Sequence, residues 1–179
     1  MKTILFIATL KEAMSLLHAL ETKKLSNGSY LFDGGEIIIC GMGPEAAYIS
    51  AKGASKNAHW INVGIAGSTA YEQGSIVRVG RVARLENPLD YIVVDDEHLA
   101  TLYTASCPIY SAPSVSEEHY VVDMEGFSIA KAARERGVSC SILKVVSDYC
   151  DEASHETILA NLPLYSAKIR DQILASLVK

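Results

Sequence analysis

Three apolar runs of strand length in this chain each lead into a carboxylate. Glu12 follows the run TILFIA within a few residues, Glu125 lies in VVDMEG, and Asp148 closes SILKVVSD. In α/β folds, a carboxylate at the end of a buried strand faces the crevice at the carboxyl edge of the sheet, where these folds bind ligands. We therefore predict that the three carboxylates share one catalytic pocket.

Strand-like and helical segments alternate along the chain, which predicts an α/β fold with helices packed on a central mixed twisted sheet. A Gly137 stop and two basic residues in the last turn mark the end of one helix. Residues 86–120 carry three prolines and predict loops over the pocket, with one strand around Leu102. The predicted strands are residues 3–8, 30–32, 37–40, 60–63, 76–85, 121–124 and 141–146. The predicted helices are residues 12–20, 44–57 and 126–136, a short turn capped by Ser154, and a terminal helix with Leu162, Tyr165, Ile169, Ile173 and Leu177 on one face.

Length and charge limit the possible partners. A chain of 179 residues predicts one domain, residues 1–179, with a substantial core. The net charge is -5, and the lysines and arginines are scattered, so nucleic acid is a poor candidate partner. We expect a small-molecule ligand instead.

The cysteines and the apolar segments predict a cytoplasmic protein. The four cysteines have no CxxC spacing and lie mostly in or near apolar runs, which indicates reduced, buried thiols. The first residues, MKTILFIATL, lack a small-residue cleavage site and are interrupted by Lys11 and Glu12, so we interpret them as a buried strand and not as a signal peptide. No run approaches the ~18 apolar residues that span a membrane. We expect no membrane partner.

The segment GMGPEA, residues 41–46, formally matches a dinucleotide-binding fingerprint. The fingerprint also needs an acidic residue about 20 positions further on, and the strand WINVG has none. Pro44 removes a backbone donor that would contact the pyrophosphate. The glycines are better explained by a tight turn beside a smaller ligand.

The order of motifs resembles the purine nucleoside phosphorylase superfamily. Glu12, GMGPEAA, INVGIAG, GSIV, VVDMEG and KVVSD follow one another as in that superfamily. Within it the chain is most similar to the 5'-methylthioadenosine/S-adenosylhomocysteine nucleosidases and related short nucleoside phosphorylase-like proteins. The resemblance implies a three-layer α/β fold, hydrolysis of a purine nucleoside that releases the base, no cofactor or metal, and a homodimer.

The resemblance also assigns roles to the carboxylates. Asp148 matches the acid at N7 of the purine, because an unprotonated purine anion leaves poorly, and Ser147 would orient it. Glu125 matches the ribose ligand that faces the developing positive charge. Glu12 matches the base that activates water. Met124, Val122, Ala66 and Gly67 would line the pocket, and Tyr103, Tyr110 and Phe127 are candidates for stacking on the purine.

Phosphorolysis is the alternative reaction. Phosphorylases of the superfamily hold phosphate with an arginine and a serine around INVGIAG, where this chain has Asn62 and Ile65. Apolar Ile65 cannot pair an anion, which favours water as the nucleophile. Arg78, Arg81 and Arg84 remain open as phosphate ligands.

Two further alternatives remain. The region before VVDMEG is shorter than in typical nucleosidases, and it normally supplies a stacking aromatic and a loop for a neighbouring active site, so a degenerate nucleoside-binding protein is possible. A metal site would need Cys107, Cys140, Cys150 and His155, whose spacing fits no common ligand pattern.

Overall fold

The computed structural model describes residues 2–98 and 100–177, which form ten strands and four helices. The expected α/β fold, a mixed sheet flanked by helices, is confirmed. The strands are β1 Lys2–Ile7, β2 Lys23–Lys24, β3 Tyr30–Phe32, β4 Gly35–Ile39, β5 Ala58–Gly67, β6 Ile76–Arg84, β7 Asn87–Val93, β8 Ala100–Thr104, β9 Tyr120–Asp123 and β10 Cys140–Asp148. The helices are α1 Leu10–Ala19, α2 Pro44–Gly53, α3 Gly126–Arg136 and α4 Ser154–Leu177.

The long strand β5 lies at the centre of the sheet. It pairs in parallel with β1 and β10, and β1 pairs in parallel with β4, which extends through β3 to β2. On the other side, β9 pairs with β5 at one position, and β8, β6 and β10 continue from it back to β5. Five strands therefore close a ring, and the carboxyl ends of β1, β5, β9 and β10 meet at one edge of the sheet.

Both faces of β1 are buried from Ile4 to Ile7, which explains why this part of the strand is apolar. Leu5 and Ile7 pack with α1 and α4, whereas Ile4 and Phe6 pack with α2 and α3. Successive side chains of a strand point to opposite faces, so alternate residues of one strand enter two cores. Members of the first core include Leu16, Val63, Val145, Tyr165 and Ile169, and members of the second include Ala51, Trp60, Ile129 and Ala133.

The predicted ends of α3 are confirmed. The helix runs from Gly126 to Arg136, and Gly137 follows it with a φ of 66°, the left-handed conformation that favours glycine. Pro44 begins α2 as predicted, although that helix ends at Gly53 and not near residue 57.

Two predictions about secondary structure are wrong. Residues 87–93 form β7, an edge strand that pairs only with β6 among the described strands and therefore tolerates Pro88. The short turn at Ser154 and the terminal helix are one helix, α4, which continues through Pro163. Burial of Tyr165, Ile169 and Ile173 against the first core offsets the hydrogen bond that Pro163 cannot make. Leu177, which was predicted on that face, is exposed.

None of the helices in the described part of the chain combines the length and the apolar character needed to cross a membrane.

Candidate functional site

A cavity of about 580 Å³ opens at the edge where β1, β5, β9 and β10 end. Its wall is completed by residues 105–110 and by the first turns of α4. Glu12, Glu125 and Asp148 all line this cavity, as the sequence predicted. The predicted lining residues Ala66, Gly67, Val122, Met124 and Ser147 also lie in its wall.

Asp148 owes its orientation to an irregularity in β10. Val146 pairs with Ala66, but the next paired residue of β10 is Asp148, opposite Gly67, so Ser147 is an extra residue. A bulge of this kind re-aims the side chain that follows it. The hydroxyl of Tyr165 donates a hydrogen bond of 2.8 Å to the carbonyl oxygen of Ser147, which ties the bulge to α4.

The Asp148 carboxylate has two protein partners. The hydroxyl of Ser147 donates to Oδ2 at 2.6 Å, and the backbone N–H of Cys150 donates to Oδ1 at 2.9 Å. Beneath it, a Cβ at Gly67 would lie 2.6 Å from the Cys150 Sγ and 2.8 Å from the Asp148 Oδ1. Only glycine at position 67 leaves the space that this carboxylate occupies.

Glu125 lies where two helices begin. It is the residue immediately before α3, and its Oε1 accepts a hydrogen bond of 2.7 Å from the backbone N–H of Gly43, immediately before α2. Gly43 has a φ of 93°, a conformation that favours glycine, so the GMGP turn serves to aim this N–H at the carboxylate. The GMGPEA segment therefore has a contact within the protein that explains its glycines.

Burial raises the pKa of Glu125 to about 7. Its neighbour Asp123 acts in the same direction, whereas the Lys144 ammonium and the N–H of Gly43 lower the pKa. The carboxyl group therefore titrates near neutral pH.

Glu12 is held by the first turn of α1 and by β5. The hydroxyl of Thr9, which caps α1, donates to Oε1 at 2.7 Å, and the backbone N–H of Ile65 donates to Oε2 at 3.2 Å. Burial raises the pKa of Glu12, although these hydrogen bonds and the charge of Lys144 oppose the increase. A Cβ at Gly64 would lie 2.8 Å from the Glu12 Oε2, so glycine is required here as well.

Lys144 and Asp123 are functional candidates that were not predicted from the sequence. The Lys144 Nζ lies 2.8 Å from the Asp123 Oδ2, and both side chains are at most 2% exposed. Burial alone would lower the pKa of Lys144, but Asp123, Glu125 and Glu12 outweigh it, and the pKa is raised. A lysine inside the apolar run SILKVV was the available signal, because buried lysines are rare unless paired.

Asp123 has two further hydrogen-bond partners. It accepts hydrogen bonds from the Thr104 hydroxyl at 2.7 Å and from the backbone N–H of Gly126 at 2.9 Å. This carboxylate therefore joins β8, the start of α3 and the Lys144 ammonium of β10.

The stacking candidates separate into one that lines the cavity and two that do not. Tyr110 lies in the cavity wall and is half exposed. Tyr103 is buried behind the cavity wall with Val122 and Cys150, and its hydroxyl donates to Glu117. Phe127 is buried beneath the Arg84 guanidinium and does not line the cavity. The suggestions of Tyr103 and Phe127 as stacking residues are therefore wrong.

The three arginines of β6 do not line this cavity. Arg78 borders a separate, smaller cavity, and Arg81 lies over the ring of Tyr91. Arg84 lies over the ring of Phe127. Among the described residues, the cations in the wall of the large cavity are Lys11 and Lys144, together with His155 when it is protonated.

The cysteines are free thiols, of which Cys40 and Cys150 are buried and Cys107 is exposed, contrary to the expectation for Cys107. Cys107, Cys150 and His155 line the cavity, whereas Cys140 packs in the core. Within residues 2–98 and 100–177, no three or more His, Cys, Asp or Glu side chains are grouped as a metal site.

Residues 116–178 match the family model of the phosphorylase superfamily. This segment contains β9, α3, β10 and α4, and so includes Glu125 and Asp148 but not Glu12. No curated protein matches the chain significantly.

Solved structures of 5'-methylthioadenosine/S-adenosylhomocysteine nucleosidases (MTANs) align with the whole chain. An MTAN from Chlamydia trachomatis bound to MTA has a TM-score of 0.86 at 23% identity over 98% of both chains. A putative MTAN from Francisella philomiragia has a TM-score of 0.83 at 15% identity over 100% of both chains. An MTAN from Helicobacter pylori with 5'-methylthioadenosine in the active site has a TM-score of 0.81 at 14% identity, over 99% of this chain and 97% of that one.

The resemblance to the purine nucleoside phosphorylase superfamily is thus confirmed in the fold of the chain, which is that of the MTANs, and in the sequence of its carboxyl-terminal third.

Proposed function

We propose that this protein hydrolyses the N-glycosidic bond of a purine nucleoside and releases the free base. The substrate is an adenine nucleoside such as 5'-methylthioadenosine or S-adenosylhomocysteine. The observation that carries the proposal is the meeting of Glu12, Glu125 and Asp148 in one cavity, although they come from distant parts of the chain. The fold shared with MTANs supports the same reading.

Asp148 acts as the general acid. It delivers a proton to N7 of the purine as the bond to the sugar breaks, so that the base leaves as a neutral molecule. The Ser147 hydroxyl at Oδ2 and the Cys150 N–H at Oδ1 hold the carboxyl group in one orientation. The bulge at Ser147 places this group in the cavity wall.

Glu125 binds the ribose. Gly43 occupies Oε1, and the described residues give no hydrogen-bond partner to Oε2, so this oxygen is available to the sugar hydroxyls. Its negative charge stabilises the oxocarbenium-like sugar that forms as the base departs. Met124 packs against the sugar.

Glu12 is the general base that takes a proton from the attacking water. Burial raises its pKa towards the range where a carboxylate accepts a proton effectively. The charge of Lys144 lowers the pKa of both Glu12 and Glu125, and so favours their charged forms against the effect of burial.

The cavity is better suited to bind water than phosphate as the nucleophile. A phosphate would need buried cations that are free to pair with it, and buried Lys144 is already paired with Asp123 and flanked by two further carboxylates. Lys11 and His155, the other basic residues of the wall, are exposed to solvent, where pairing with an anion is weak. The arginines of β6, which the sequence allowed as phosphate ligands, do not line this cavity. The side chain of Ile65 is apolar, so this residue has only backbone groups with which to bind a phosphate. Phosphorolysis and a role limited to nucleoside binding are the alternatives that the assay below separates.

The proposal includes a homodimer in the cytoplasm. Three large apolar side chains at the cavity, Met42, Tyr110 and Leu159, are each more than half exposed, and a second copy of the chain over the mouth would cover them. The free cysteines favour a reducing compartment.

The direct test is incubation with 5'-methylthioadenosine, S-adenosylhomocysteine, adenosine and inosine, each with and without phosphate, while free base and sugar products are measured. We expect free adenine and an unphosphorylated sugar in both conditions. A strict phosphate requirement would show a phosphorylase. Binding of nucleosides without any base release would show a degenerate, non-catalytic member.

A further inference from the structure

The amide of Asn62 is a buried polar group that the proposed mechanism does not use. Asn62 lies on β5, lines the cavity and is 1% exposed. Its Nδ2 donates to the backbone carbonyl of Phe6 at 3.3 Å, which fixes the direction of the amide. Its Oδ1 has no hydrogen-bond partner among the described residues. A buried acceptor without a partner destabilises the fold, so such an atom in a cavity wall points to a bound donor.

The register of the sheet places Asn62 beside Lys144. Asn62 pairs with Ile142, and Gly64 pairs with Lys144, so both side chains extend from the same face of neighbouring strands. Lys144 Nζ lies 3.9 Å from the position that a Gly64 Cβ would take. Asn62 and Lys144 thus lie on the same face of the sheet on either side of Gly64, where the Glu12 Oε2 also reaches.

Their hydrogen-bonding capacities are complementary to one small ligand. An ammonium has three N–H donors, and the Asp123 pair uses one of them. Asn62 Oδ1 can only accept. A water molecule accepts from an ammonium and donates to an amide oxygen, and with a carboxylate nearby it has the two to four polar partners that hold a buried water.

We propose that Asn62 is a positioning residue: its Oδ1 and the Lys144 ammonium together bind one water molecule, and this water holds Lys144 in the place where it faces Glu12 and Glu125. The inference rests on the proposed hydrolysis for its catalytic consequence. The water site itself is independent of any activity.

Two variants separate this role from a structural one. Asn62→Leu has similar volume but removes both the acceptor and the bond to Phe6, whereas Asn62→Asp keeps an acceptor oxygen towards Lys144 and replaces the amide donor to Phe6 with a carboxyl oxygen. We expect Asn62→Leu to lower the single-turnover rate of base release at least tenfold with KM within twofold, and Asn62→Asp to retain most of the rate. Asn161→Leu is the matched control, because Asn161 also donates its amide to a backbone carbonyl but lies outside the cavity.

Equal loss of rate in the two Asn62 variants would overturn the proposal, since an acceptor oxygen at this position would then make no difference to the rate. An unchanged rate with a higher Tm in Asn62→Leu would also overturn it, because the acceptor would then be only an unsatisfied buried group.

A high-resolution crystal structure of the unaltered protein decides the question without a variant or an assay. We expect an ordered water within hydrogen-bond distance of both the Asn62 Oδ1 and the Lys144 Nζ, and no water at that place would overturn the proposal. If the protein released no base from any nucleoside, the proposed function would fail while this structural test still gave its answer.

Discussion

The Lys144 ammonium lies 2.8 Å from the Asp123 carboxylate in a place where neither side chain reaches solvent. Removal of one partner from a buried ion pair typically costs about 3–5 kcal/mol, because the other charge remains buried. We predict that Lys144→Met lowers the free energy of unfolding by an amount of this order, measured by urea denaturation, and abolishes base release. Lys52→Met, which breaks the exposed pair with Glu135, should change stability by no more than about 1 kcal/mol. Equal effects of the two variants would contradict this view of the pair.

Gly64 and Gly67 each give space to one of the carboxylates that we propose to be catalytic. A methyl group at position 64 meets the Glu12 Oε2, and one at position 67 meets the Asp148 Oδ1 and the Cys150 Sγ. We predict that Gly64→Ala and Gly67→Ala each lower kcat at least tenfold in the nucleosidase assay. Gly53→Ala is the control, because nothing lies near a Cβ at the end of α2. Full activity of both cavity variants would show that the carboxylates have freedom to move.

The hydroxyl of Tyr165 reaches the bulge that aims Asp148. Tyr165→Phe leaves the Ser147 carbonyl without this donor, and a lost hydrogen bond of this kind costs about 1 kcal/mol of stability. We predict a lower kcat with a modestly reduced Tm. Tyr91→Phe on the exposed edge strand is the control and should change neither kcat nor Tm. If Tyr165→Phe had the same kcat as the parent, the bulge would not contribute to catalysis.

Glu125 makes stability depend on pH in a definite direction. Its pKa rises from the ordinary value of 4.5 to about 7 on folding, so between these pH values the folded state binds more protons than the unfolded state. The contribution of Glu125 to the free energy of unfolding therefore falls as the pH rises from about 4.5 to about 7, by about 1.4 kcal/mol for each pKa difference of one.

Glu125→Gln removes this dependence. We predict that its stability relative to the parent increases from pH 5 to pH 8, as measured by urea denaturation at each pH. Glu156→Gln, at an exposed position in the first turn of α4, is the control and should run parallel to the parent. A constant difference between Glu125→Gln and the parent would mean that Glu125 does not titrate in this range.

Local signals predicted the parts of the fold that depend on neighbours in sequence. The limits of α3 follow from Gly137 and the basic last turn, and the placement of Glu125 and Asp148 follows from strands that end in a carboxylate. These signals depend on residues that are close in sequence, and the structure agrees with the predictions made from them.

The missed features depend on contacts between distant residues. Lys144 and Asp123 meet only because β10 and β9 reach the same edge of the sheet. The apolar run around Lys144 indicates that this lysine needs a buried partner, but it does not indicate which residue the partner is. The bulge at Ser147 depends on the register with β5, and β7 forms because β6 offers an edge on which Pro88 is tolerated. The buried position of Tyr103 likewise follows from the strand pairing. Its residue type alone could not predict this, because a tyrosine is equally suited to stacking on a purine.

The central claim is that Asp148 protonates a departing purine. The most direct measurement compares the release of adenine from 5'-methylthioadenosine by the parent and by Asp148→Asn, together with the binding of the intact nucleoside by each. Because general acid catalysis contributes about 10²–10⁴-fold, we predict a loss of at least a hundredfold in the rate with nucleoside affinity changed far less. Asp171→Asn, at an exposed position on α4, should match the parent in both measurements. Adenine release by Asp148→Asn at the rate of the parent would contradict the account.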